Sequence, residues 1–103
     1  MDILKICKCL SDKNRLEIVR LLSERKYCVR ALSQQLGISE SRVSQHIRLL
    51  KEAGLITAGD KNGYNIHYAV DRQSLGQRSD YLKNMADTVQ EDRRCGGCRK
   101  EKQ

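Results

Sequence analysis

Three observations predict a mainly α-helical domain of about five helices carrying one two-stranded β-hairpin, completed by pairing with a second copy. Apolar residues recur at helical spacing through most of the chain, Gly37 and Ser39 separate two such stretches by a turn of only three residues, and Asn62-Gly63 divides two short strand-like runs. At 103 residues the chain is one domain, and a domain of this size hides only about two-thirds of its unfolded surface, so its own core is thin and a second copy would complete it.

The elements follow in order. Ile3, Leu4, Ile6, Cys7 and Leu10 mark a short amphipathic helix with Lys5 and Lys8 facing out. Asp12 suits the N-cap of a second helix that runs to about Lys26, with Leu16, Ile18, Val19, Leu21 and Leu22 expected inside and Arg15, Glu17 and Arg20 outside. Val29, Leu32 and Leu36 mark a third helix, closed by Gly37 where a left-handed residue is wanted. Ser39 can accept a hydrogen bond from a free N–H of a fourth helix, whose first turn carries Glu40 and whose inner face is Val43, Ile47 and Leu50.

Gly54 stops that helix, and strands over Leu55 to Asp60 and Tyr64 to Val70 flank a Lys61-Asn62-Gly63 turn. A last helix from about Ser74 to Asp92 carries Leu75, Leu82, Met85, Ala86 and Val89 on one side. Residues 1–92 thus form the domain, and 93–103 a flexible basic tail with Gly96 and Gly97.

Two helices joined by a short glycine turn and followed by a hairpin make a winged helix-turn-helix, an arrangement that places its second helix in a DNA major groove. With Val43, Ile47 and Leu50 turned inward, Ser41, Arg42, Ser44, Gln45 and Arg48 point outward, mostly from the N-terminal half that enters the groove. Arg pairs with guanine O6 and N7, Gln with adenine, and Ser with phosphates or base edges. Ser39 at the cap joins this set, and Lys61 and Asn62 at the hairpin tip are within reach of phosphates or the minor groove, although polar hairpin tips are common without any partner.

His46 lies on the inward edge and reads as packed or hydrogen-bonded rather than as a base contact. Lys+Arg 20 against Asp+Glu 13 gives a net charge of +7, a field that draws polyanions.

The same stretches carry a family resemblance. Cys9-Leu10-Ser11-Asp12 with Arg15-Leu16, then Leu36-Gly37-Ile38-Ser39-Glu40-Ser41-Arg42-Val43-Ser44-Gln45-His46, then Leu50-Lys51-Glu52-Ala53-Gly54-Leu55-Ile56 resemble the ArsR/SmtB family of bacterial repressors over roughly residues 3–90. The resemblance implies a homodimer built from the first and last helices, binding double-stranded operator DNA at an inverted repeat and released when a metal, metalloid or oxidant fills a sensor site.

Five cysteines are an odd count, which argues against a closed disulfide framework. Cys28 opens the third helix where the arsenic-sensing branch of that family carries a Cys-Val-Cys box, but here the order is Cys28-Val29-Arg30 and the second thiol is missing. Cys95-Gly96-Gly97-Cys98 restores a close pair beside Arg93, Arg94, Arg99 and Lys100, cations that favour thiolate. Such a pair needs another thiol to complete a three- or four-ligand site, and Cys28 is the preferred partner, with Cys7 and Cys9 as candidates that otherwise read as core residues.

The inducer implied is As(III) or a soft divalent ion held by Cys28, Cys95 and Cys98, whereas DNA binding itself calls for no cofactor. The last helix has no histidine, so the family's histidine-based zinc site is not expected, and Asp80, Asp87 and Glu91 read as solvated surface.

Two alternatives stay open on these residues. The thiols can close a disulfide or bind persulfide, making a redox sensor of the same fold, or the chain can be a small metal-binding or trafficking protein whose basic face meets another acidic partner. Paired carboxylates, a phosphate-cradling glycine loop and a Cys/His nucleophile arrangement are all missing, so an enzyme is not predicted. A basic stretch followed by an apolar one is missing from the N-terminus, and no apolar run approaches the ~18 residues of a membrane span, which predicts a cytosolic chain.

Overall fold

The computed structural model describes residues 3–62, 65–88 and 95–97. Its order is α1 (Ile3–Leu10), α2 (Lys13–Leu22), α3 (Val29–Leu36), α4 (Glu40–Glu52), β1 (Ile56–Asn62), β2 (Asn65–Val70) and α5 (Arg72–Asp87). The winged helix-turn-helix is therefore present, with β1 and β2 as the antiparallel wing.

Three helices, α2, α4 and α5, begin where a side chain replaces a missing backbone partner. Asp12 Oδ1 accepts from the N–H groups of Asn14 and Arg15 at 2.8 and 3.1 Å, Ser39 Oγ from Arg42 at 3.1 Å, and Asp71 Oδ1 from Ser74 at 3.1 Å. Those two N–H groups hold the Asp12 carboxyl below the usual carboxylate range, the Arg15 amide being the stronger influence. The Asp71 cap starts α5 two residues before the expected Ser74. Gly37 ends α3 at φ 68° and ψ 30°, the left-handed conformation a Cβ disfavours. The Ser33 hydroxyl then donates to the Ile38 carbonyl at 2.6 Å, locking the turn before α4.

The core lies between α2, α3, α4 and the base of the wing, with Ile18, Leu32, Val43, Leu50 and Leu55 fully buried. Removing each from water contributes about 1.5–3 kcal/mol. On α2 the expected faces are corrected at two positions. Arg15 is turned inward with a side chain 17% exposed, while Leu16 is 53% exposed. The reason is helical geometry, since position 15 shares a stripe with 18, 19 and 22, whereas position 16 shares one with Arg20.

On α1, Ile6 and Cys9 are buried, as expected for Cys9, but Cys7 is exposed beside Leu4 rather than packed. α5 has no buried residue: Leu75 packs on the edge of the core, and Tyr81, Leu82 and Met85 stand exposed along one stripe. Val89 lies outside the described residues.

In the wing, Ile56 pairs with Val70 and Asn62 with Asn65, and the register slips between Ala58 and Lys61. Lys61 and Asn62 thus continue β1 instead of forming the turn, and Gly63 and Tyr64 lie outside the described residues. At the bulge, a Cβ on Gly59 would sit 2.8 Å from the His67 carbonyl oxygen, so only glycine fits without displacing the backbone. The wing is fastened to the rest of the domain by reciprocal backbone bonds between Tyr27 and Tyr68, at 2.9 and 3.4 Å, and by Asp71 N–H donating to Leu55 O at 2.9 Å.

Candidate nucleic-acid interface

The site is built on α4, whose thirteen residues divide cleanly by burial. Val43, Ile47 and Leu50 are buried, and Ser41, Arg42, Ser44, Gln45 and Arg48 are all exposed on the remaining circumference. Because the apolar anchors recur at helical spacing and are fixed in the core, the polar ridge between them is held at a set angle to α3. Ser39 precedes the ridge. Its oxygen is taken by the Arg42 N–H, which leaves its own O–H free to donate. The N-terminal end of α4 presents the positive end of the helix dipole, complementary to a phosphate, with the exposed Glu40 in the same first turn.

Neither Arg42 nor Arg48 is held by an ion pair among the described residues. Arg20 on α2 differs, lying between Glu17 and Glu24. Free guanidinium groups on one ridge are what a polyanion needs, because a guanidinium already matched by a carboxylate releases no counterion on binding DNA. Ser44 and Arg48 also line a groove between α4 and Tyr68 of the wing.

The sulfur atoms are distributed unevenly. Cys28 occupies the N-cap position of α3, makes no side-chain capping bond and is half-buried. It opens on a cleft of about 550 Å³ lined also by Arg30, Glu40, Ser44, Asn65 and Tyr68, directly beside the ridge. Cys95 is exposed, and Cys98 lies outside the described residues. Cys9 is buried, and that burial pushes its thiol pKa up despite nearby Arg15. Among the described residues no group of three or more His, Cys, Asp or Glu side chains is placed to hold a metal ion, and no helix is long and apolar enough to cross a membrane.

His46 is half-buried, as its inward edge predicts. Its partner, Arg15, was not foreseen: Nη1 of Arg15 lies 3.4 Å from His46 Nδ1, while Nε donates to the Cys9 carbonyl at 2.6 Å. The signal available was the spacing of Arg15 from Ile18, Val19 and Leu22, which marks position 15 as inward whatever its charge.

Comparison with known proteins gives consistent results. The family model described as "Bacterial regulatory protein, arsR family" matches residues 12–58, from the cap of α2 into β1. The uncharacterized HTH-type transcriptional regulator YbzH of Bacillus subtilis (strain 168) is 30% identical over 98 residues, covering 81% of this chain and 97% of that protein. The arsenical resistance operon repressor of the same organism is 34% identical over 76 residues, covering 73% of this chain and 72% of its own length. Among solved structures, a homodimeric winged helix-turn-helix DNA-binding domain (fragment 1–100) from Mycobacterium bovis, a possible ArsR-family transcriptional regulator, superposes with a TM-score of 0.67 at 23% identity, covering 87% of this chain and 82% of that one.

Proposed function

The chain belongs to the arsR family of bacterial regulatory proteins, DNA-binding transcriptional repressors and not enzymes, and from that premise we propose that it is a thiol-based repressor released from its operator by As(III) or a soft divalent ion. In this reading two chains pair through α1 and α5 and lay their α4 helices in successive major grooves of an inverted repeat. Ser41, Arg42, Ser44, Gln45 and Arg48 meet bases and phosphates, Ser39 meets a phosphate, and Lys61 and Asn62 of the wing reach the flanking backbone.

The observation that carries the DNA-binding part is the exposed ridge of α4, its arginines without an ion pair among the described residues, over the buried Val43, Ile47 and Leu50. Pairing is supported by Leu4, Leu16, Tyr81, Leu82 and Met85, which stand 45–79% exposed with nothing among the described residues to cover them, and by the homodimeric state of the M. bovis domain.

For the inducer, the thiols are Cys28, Cys95 and Cys98. The name of the arsenical resistance operon repressor supports the arsenite reading. The chemistry supports it too, since thiolates select soft ions and an exposed Cys95 can close on a partner thiol. Cys28 borders the cleft beside α4, so a ligand drawn to it would alter the surroundings of Ser44, and a coupling of about 1–3 kcal/mol weakens operator affinity roughly 5- to 150-fold. The cytosol, where glutathione keeps thiols reduced, is the compartment this chemistry needs.

The test is a complex of the reduced full chain with a duplex selected by the protein from a random pool, titrated with arsenite, Cd(II) and Zn(II). Arsenite or Cd(II) should release the DNA, and Cys95→Ser with Cys98→Ser should bind DNA normally but resist release. Unaltered release from that double variant removes the tail from the site.

A further inference from the structure

One guanidinium joins three elements. Arg15 of α2 donates from Nε to the Cys9 carbonyl in the last turn of α1 at 2.6 Å and places Nη1 3.4 Å from His46 Nδ1 in the middle of α4. Asp12, the cap of α2, has its Oδ2 4.0 Å from the same Nη1. A second link runs beside the first, from the Cys9 thiol to the Leu49 carbonyl of α4 at 3.8 Å. Both links border a cleft of about 210 Å³, lined also by Lys5 and Lys8 of α1 and Glu52 of α4.

A guanidinium has only N–H donors and keeps its proton in proteins. His46 Nδ1 can therefore meet Arg15 only as an acceptor, with the ring neutral and its proton on Nε2.

We infer that Arg15 is a positioning residue for DNA binding: through His46 it sets the tilt of α4 against α1, and the setting holds only while His46 is neutral. This rests on the placement of α4 in the major groove described above. Protonating His46 replaces an attraction by two cations in contact. Of the charged groups near the ring, the Arg15 guanidinium at 3.4 Å opposes a proton there, and the Asp12 carboxylate, whose Oδ2 lies 4.0 Å from that guanidinium, favours one. α1 reaches the Arg15 guanidinium through the Cys9 carbonyl, and the cleft beside it carries Lys5 and Lys8 of the same sign as Arg15 and Glu52 of the opposite sign.

The sign of the pH response separates this role from direct contact. Histidine is the side chain whose charge changes between about pH 5 and 8, and His46 and His67 are the two in the chain. An imidazole facing phosphates would tighten DNA binding as pH falls, whereas one holding Arg15 would loosen it.

The experiment measures anisotropy of a labelled duplex, selected from a random pool by the wild-type full chain, at fixed ionic strength between about pH 8 and 5.5. Wild-type affinity should fall roughly tenfold across that range, the scale of one charge-assisted hydrogen bond. His46→Gln, whose amide oxygen can accept from Arg15 at any pH, should bind as tightly at pH 8 and show no such fall. His67→Gln should keep the wild-type profile, and Arg15→Met should be weak at pH 8 with a flat profile. If Arg15→Met does not fold, as judged by circular dichroism, His46→Gln still decides.

A flat wild-type profile, a rise on acidification, or a fall that persists in His46→Gln each overturns the inference. If the pH profile fails while replacing Arg42 and Arg48 still weakens binding, α4 stays in the groove and only the role of Arg15 is lost. If replacing those two arginines changes nothing, the groove placement itself is wrong.

Discussion

Replacing Arg42 and Arg48 by alanine removes two cations that no carboxylate shares among the described residues, and in a two-chain complex the loss is four. If all four rest on phosphates, the salt dependence of binding should flatten by about 0.9 for each, roughly 3.6 in the slope of log affinity against log salt. Between about 50 and 200 mM KCl the wild type should then lose some two decades of affinity more than the variant does. Arginines that read guanine instead would leave the slope nearly intact and cost about 1–3 kcal/mol per contact on the selected duplex alone.

Anisotropy titrations at four salt concentrations, on selected and random duplexes, distinguish these outcomes. Arg20→Ala serves as the control, because Arg20 is already engaged by Glu17 and Glu24 on an exposed face of α2 and its removal should leave the slope unchanged. Should the double variant match the wild type in both slope and affinity, the ridge of α4 does not touch DNA.

Two further predictions concern what holds this ridge and the wing in place. Gly59→Ala puts a Cβ 2.8 Å from the His67 carbonyl oxygen, so the wing must open at its bulge at a cost of about 1–3 kcal/mol, seen as faster amide exchange at Ala58 and Tyr68 with the core helices still protected. Asp12→Ala should destabilise the domain by about 0.5–2 kcal/mol in urea at neutral pH through loss of the α2 cap. The folded Asp12 carboxyl lies below its ordinary range. Its contribution is therefore complete above the unfolded value near pH 4 and lost as pH falls through the folded one, so the two proteins should converge in acid.

Much of this was readable in advance because it depends on local pattern. Gly37 between Leu36 and Ser39, the periodicity of Val43, Ile47 and Leu50, and the capping oxygens of Asp12 and Ser39 each act within a turn of helix, and the structure places all of them as the pattern implies. The polar ridge of α4 followed directly, because once the apolar face is assigned the opposite face has nowhere else to point.

The departures arise where a distant element intervenes. Cys7 sits on the apolar stripe read for the first helix and Cys9 does not, yet it is Cys9 that meets the Leu49 carbonyl and the core while Cys7 is exposed. Lys61 and Asn62 extend β1 because the bulge at Gly59 shifts the register, a decision made by the opposite strand. Leu82 and Met85 fall on the apolar stripe that the periodicity of α5 implies, but among the described residues nothing buries them.

The sequence by itself determined the order of elements, the caps at Asp12, Gly37 and Ser39 and the face of α4 that stays wet, since these follow from side-chain periodicity and backbone hydrogen bonds a few residues apart, whereas α2 ends at Leu22 and not near Lys26. Only the tertiary structure decided that a charged Arg15 turns inward to span Cys9 and His46, and that Cys28 borders a cleft shared by α4 and the wing. Both depend on groups more than thirty residues away along the chain or on another element, where no local preference operates and the partner is chosen by packing.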